Sequence, residues 1–136
     1  ALASMQKKYA ARPVRFFLTP CNQFMAQEPD ANSAVKAFAA KYLELGPQSN
    51  VVMLSKSTVN EPRCAAAGGC TPDSTSCCRS NNGIYEYLQG QVPGKCDWNF
   101  NKYPVGKDGV PNGKRYGDDV YAADLETDID ALLSEM

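Results

Sequence analysis

Residues 14–24 read VRFFLTPCNQF. The first six are rich in aromatic and β-branched side chains, and Pro20 stops them, so 14–19 predicts a short buried strand. A helix is predicted from about Asn32, because Val35, Phe38, Ala39 and Tyr42 recur at i, i+3, i+4 and i+7 and form one apolar stripe. Asp30 and Asn32 are candidate caps for it, and Gly46-Pro47 is a strong stop. Residues 51–54, VVML, give the next strand. Strand, helix and strand in this order point to an α/β layered domain.

Toward the C-terminus the signals alternate in strength. Residues 61–82 are rich in Cys, Ala, Gly, Ser and Pro without periodicity, which predicts an irregular loop. A short helix is expected over about 83–89. Residues 98–105 and 114–116 flank Asp108-Gly109, a turn signal for an antiparallel hairpin. Pro104 and Pro111 each lack an amide donor, so part of that hairpin must be an edge or a bulge. The last helix is the clearest: Leu125, Ile129, Leu132, Leu133 and Met136 share one face, with Asp118, Asp119 and Asp124 near its positive end.

A chain of 136 residues, 43% apolar, suits one domain over 1–136, and it contains no internal repeat. The net charge of −1 gives no electrostatic case for a nucleic-acid partner or an anionic membrane. No apolar run reaches the length of a membrane span, and ALASMQKKYAAR at the start lacks a signal-peptide core. Histidine is absent, which excludes Ser-His and Cys-His catalytic pairs and any imidazole metal site. Neither a metal nor a cofactor is expected.

Three segments together resemble the glutathione peroxidase family. Leu18-Thr19-Pro20-Cys21-Asn22-Gln23-Phe24, continuing to Gln27-Glu28-Pro29, is similar to that family's FPCNQF…QEPG signature. Thr58-Val59-Asn60 is similar to its DVNG, and Trp98-Asn99-Phe100-Asn101-Lys102-Tyr103 to its WNFTKF. The resemblance implies a thioredoxin-like mixed sheet flanked by helices. It also implies chemistry in which a cysteine or selenocysteine attacks the O–O bond of a hydroperoxide and is then reduced by thiols, glutathione or thioredoxin. Around that nucleophile the family places a Gln, a Trp and an Asn, which map onto Gln27, Trp98 and Asn99. Each offers uncharged N–H donors able to stabilise developing negative charge. Taken singly, a lone Trp is ordinarily a core residue, an Asn before a strand a turn residue and a Gln an exposed one. Their joint placement in family motifs carries the site reading.

In the family the peroxidatic residue lies roughly thirty residues before the CNQF cysteine, at a strand-to-helix turn. Counting back from Cys21 passes Ala1, and residues 2–9 resemble the end of the helix that follows the nucleophile. The expectation is therefore an N-terminally incomplete domain, without the strand that bears the nucleophile and unable to fold alone as an intact family domain. Cys21 reads as a structural or regulatory thiol, since no Lys or Arg adjoins it in sequence to lower its pKa. The position of a resolving cysteine in some relatives matches Ala40 here.

Cys64, Cys70, Cys77 and Cys78 fall within the 61–82 insertion, where the resemblance weakens. The C-x5-C…CC spacing lacks CxxC pairs and suits a tetrathiolate zinc site poorly. Disulfides of unassignable pairing are the leading expectation, with surface thiols the alternative. Disulfides there would point to an oxidising or organellar compartment.

Two functions are carried forward. One is a thiol-dependent hydroperoxide reductase whose peroxidatic residue lies outside this chain. The other is a catalytically inactive accessory subunit of the same fold in a larger protein assembly.

Overall fold

The computed structural model describes residues 1–28, 30–60 and 83–135. The expected insertion at 61–82, with its cysteines, and Met136 lie outside the described residues. The elements are α1 (Leu2–Lys8), β1 (Phe16–Leu18), α2 (Asn32–Ala39), β2 (Val51–Met53), α3 (Gly83–Gln91), a 3-10 turn (Ala122–Leu125) and α4 (Glu126–Ser134). The architecture is α/β.

β1 and β2 pair in parallel, with Phe16, Phe17 and Leu18 opposite Val51, Val52 and Met53. The pairing runs past the strands. The Phe16 amide donates to Asn50 O at 2.8 Å, Leu54 to Leu18 O at 2.9 Å, and Ser57 to Pro20 O at 3.1 Å. Residues 20–24 are thereby drawn alongside 57–60.

The core is small and centred on α1. Met5 and Tyr9 are each 1% exposed, joined by buried Val35, Val51, Val59, Leu88 and Cys96. The Tyr9 ring packs on Phe16 at 6.4 Å, and its hydroxyl donates to Asp130 Oδ1 at 2.9 Å, so one side chain ties α1 to β1 and α4. Buried Gln6 binds the segment after α2: Nε2 donates to Glu44 O at 2.7 Å, and Oε1 accepts from the Glu44 amide at 3.0 Å.

Four sequence expectations need correction. The apolar stripe of α2 buries only Val35 among the described residues, while Phe38 and Tyr42 are 61% and 66% exposed. The helix ends at Ala39, so Tyr42 leaves the stripe and its ring packs on Phe38 at 5.4 Å instead. The hairpin is two isolated antiparallel bridges, Lys102 with Tyr116 and Val105 with Pro111, because buried Pro104 and Pro111 supply carbonyls but no amide to a ladder. Leu125 closes a 3-10 turn and does not open α4. There the Asp124 carboxylate accepts from the Tyr121 amide at 2.9 Å, satisfying a donor at the start of that turn. The helix after the insertion runs two residues further than expected, to Gln91.

The hairpin is fastened to α4 by Asp128, which is 8% exposed. Its carboxylate accepts from Lys114 Nζ at 2.7 Å and from the Tyr116 hydroxyl at 2.5 Å. These two bonds hold the Asp128 carboxyl below its ordinary range. A depressed folded-state pKa means the stabilisation is present above the unfolded value of about 3.9 and is lost as pH falls through the folded one. Replacing Asp128 by Ala should cost about 1–3 kcal/mol at neutral pH, read from urea unfolding. The same change should flatten the loss of stability below pH of about 4.

Candidate functional site

The site is assembled by side-chain amides that reach across long sequence separations. Gln23, in the turn after β1, faces the segment that follows β2. Its Oε1 accepts from the Val59 amide at 2.7 Å and the Asn60 amide at 3.0 Å, and its Nε2 donates to Asn60 O at 3.0 Å. Asn60 passes the connection on. Its Oδ1 accepts from the Cys96 amide at 2.8 Å and from Gln89 Nε2 at 3.0 Å, and its Nδ2 donates to Cys96 O at 2.6 Å. Cys96 lies two residues before Trp98, so the three segments quoted above are bound into one unit through Gln23 and Asn60.

That frame sets the geometry of the predicted site residues. Asn99 Nδ2 donates to Gln27 Oε1 at 2.6 Å, across 72 residues of sequence. The Trp98 ring packs against Phe24 at 5.9 Å, with the planes tilted by 51°. Gln27 is exposed, and Trp98 and Asn99 are half-buried. Among the described residues, neither Gln27 Nε2 nor the Trp98 indole N–H meets an acceptor. Both are uncharged N–H donors. The Trp98 segment is further held by Asn101, whose Nδ2 donates to Trp98 O at 2.7 Å and to Asp97 Oδ1 at 3.0 Å. That donation, first among several, holds the Asp97 carboxyl below its usual range.

Backbone strain collects at the same place. Met25, Ala26 and Phe100 have φ of 54°, 50° and 60°, and they immediately precede Gln27 and follow Asn99. Left-handed backbone at non-glycine residues persists where the surroundings over-determine it, and it gathers at functional loops.

The two described cysteines make other contacts. Cys21 Sγ accepts from the Gln23 amide at 3.4 Å in a local turn. Cys96 is 3% exposed, with its Sγ 3.6 Å from the Tyr103 hydroxyl and 3.8 Å from Gln89 Nε2. Burial, with the Cys96 contact second, pushes the Tyr103 hydroxyl well above its usual pKa. Among the described residues neither thiol is in a disulfide, and no group of three or more His, Cys, Asp or Glu could hold a metal ion.

Gln23 and the linking role of Asn60 carry no signal in composition or periodicity; only their places within the quoted motifs mark them. Asn60→Ala removes three hydrogen bonds to its carboxamide, two of them to the Cys96 backbone, and should cost about 2–3 kcal/mol in urea unfolding. Ala26→Gly should act the other way. It relieves a left-handed residue costing about 1–2 kcal/mol and adds about 0.4–1 kcal/mol of unfolded-state entropy, so the net gain should be about 0.5–1 kcal/mol.

A sequence profile of the family described as "Glutathione peroxidase" matches residues 1–64. The chain is 30% identical to a glutathione peroxidase of Schistosoma mansoni, over 98% of this chain and 69% of that protein. It is 29% identical to a chloroplastic phospholipid hydroperoxide glutathione peroxidase of Arabidopsis thaliana, over 98% of this chain and 49% of that one. A hydroperoxy fatty acid reductase of Synechocystis is 27% identical over 79% of this chain and 56% of its own length. The chain thus spans between about half and two thirds of these relatives. With coverage of nearly its whole length at that identity, the chain belongs to the glutathione peroxidase family.

Proposed function

We propose that this chain is part of a thiol-dependent hydroperoxide reductase in which Gln27, Trp98 and Asn99 are the supporting donors and the peroxidatic residue lies outside residues 1–136. The observation that carries the reading is the 2.6 Å bond from Asn99 Nδ2 to Gln27 Oε1, which joins two of the three predicted donors across the fold. The donors can stabilise charge but contain no atom able to attack an O–O bond. Neither described thiol supplies that atom, since Cys96 is buried and Cys21 is turned onto Gln23. In this reading the nucleophile is the cysteine or selenocysteine that the family places about thirty residues before the position of Cys21.

The thiolate or selenolate attacks one oxygen of ROOH and breaks the O–O bond. The alkoxide leaves, takes a proton and departs as ROH. The nucleophile is left as a sulfenic or selenenic acid. One thiol displaces water from it to form a mixed disulfide or selenenyl sulfide. A second thiol releases the oxidised reductant and restores the nucleophile. Gln27 and Trp98 N–H groups act on the charge held first by the nucleophile and then by the departing oxygen. The reductant, glutathione or thioredoxin, is taken from the family relationship.

Coupled NADPH consumption with hydroperoxide and either reductant tests this. Polypeptide 1–136 should show no sustained turnover, while the protein with its upstream cysteine or selenocysteine should turn over. In that protein, Gln27→Ala or Trp98→Leu should slow the peroxide step on the order of 100-fold. Sustained turnover by 1–136 that Cys21→Ser abolishes would refute the placement of the nucleophile. An inert protein with the nucleophile in place would favour the accessory-subunit reading.

A further inference from the structure

We infer that Lys56 is a positioning residue, holding the loop that carries Gln27 within reach of Asn99. The inference rests on the reading of Gln27 as a supporting donor. Lys56 is only 3% exposed, an unusual place for an ammonium group. Its Nζ donates to Glu28 O at 3.1 Å and to Asp30 O at 2.5 Å, the carbonyls of the residues just beyond Gln27. Its backbone amide donates to Asn32 Oδ1 at 2.7 Å, at the first residue of α2. One residue after β2 thus grips both the end of the Gln27 loop and the start of the following helix.

The loop requires such a grip. Met25 and Ala26 hold it in left-handed backbone, and among the described residues the Gln27 amide makes a single, long 3.4 Å bond, to Phe24 O. Asn22 Oδ1 restrains the loop from within, accepting from the Glu28 amide at 2.8 Å. Lys56 restrains it from outside, through charge-assisted bonds stronger than those between neutral groups. Filling the space would need only an apolar side chain. A buried ammonium adds direction, because it turns the Glu28 and Asp30 carbonyls inward and so fixes the course of the chain leaving Gln27. A displacement on the order of 1 Å of a group that must meet a reacting atom costs on the order of 100-fold in rate.

The test is a double-mutant cycle in the full-length protein with its peroxidatic residue, joining Lys56→Met and Gln27→Ala. Peroxide-step rates and hydrogen exchange at the Glu28 amide are read together. Lys56→Met alone should lower the rate about 10- to 100-fold and speed Glu28 exchange, and it should add little once Gln27 is Ala. An equal loss with and without Gln27 overturns the proposal, since Lys56 would then act elsewhere. Unchanged Glu28 exchange in Lys56→Met overturns the positioning itself. An unchanged rate in Gln27→Ala overturns the functional reading beneath it, and the exchange data keep that failure separate. If Lys56→Met does not fold, Lys56→Arg in both backgrounds carries the same test. Its planar head keeps the charge but cannot meet the two carbonyls as Nζ does, and an equal loss in both backgrounds again overturns the proposal.

Discussion

The structure depends on a pair of carboxamides, Gln23 and Asn60, that substitute for sheet structure where the strands have stopped. β1 and β2 are three residues each, too short to organise the turns beyond their C-terminal ends. Past that point Gln23 completes the hydrogen bonds of the Val59–Asn60 backbone, and Asn60 does the same for Cys96. A carboxamide presents a donor and an acceptor side by side, as an extended backbone does, so each of these side chains imitates one rung of a ladder. The difference is reach: a side-chain rung can join segments whose directions no sheet would permit.

This economy explains how a small core supports a defined site. The most deeply buried side chains, Met5, Tyr9 and Thr58, lie around α1 and the end of β2. The Trp98–Asn99 segment is instead held by the bonds of Asn60 to the Cys96 backbone just before it, by Asn101 on the Trp98 carbonyl and by the Phe24 ring. Asp128 performs a comparable service for the hairpin, whose two prolines prevent a continuous ladder. Polar groups serve as fasteners at several points where apolar burial is thin, and satisfied networks of this kind specify a single arrangement.

What could be read from sequence follows the same division. The strands at 14–19 and 51–54 were legible in kind, since β-branched and aromatic runs stopped by turn residues have few other readings, although each is shorter than expected. Helix α2 begins at Asn32, but neither candidate cap, Asp30 or Asn32, serves it: the N-cap is Ala31, without a side-chain bond, and Asn32 Oδ1 accepts from the Lys56 amide instead. Its stripe misled because periodicity names the face that would be buried but not the residue at which the helix stops. Gln27, Trp98 and Asn99 could be singled out only through motif resemblance; nothing in their local pattern separates them from ordinary turn residues. The ties made by Gln23, Asn60 and Lys56 were not legible at all. Contacts from one side chain to a distant backbone have no period and leave no compositional trace.

The bond between Asn99 and Gln27 has a consequence of sign. A carboxamide is a short dipole whose two ends are nearly alike in shape and opposite in polarity. Because Asn99 offers its N–H and Gln27 receives it on oxygen, the Gln27 dipole is oriented with its positive end away from Asn99. Were the donor and acceptor of that one contact exchanged, the same two residues in the same positions would turn a negative end outward and repel an anion. In the proposed site, Asn99 would thus set the direction of the Gln27 dipole through a single hydrogen bond between neutral groups.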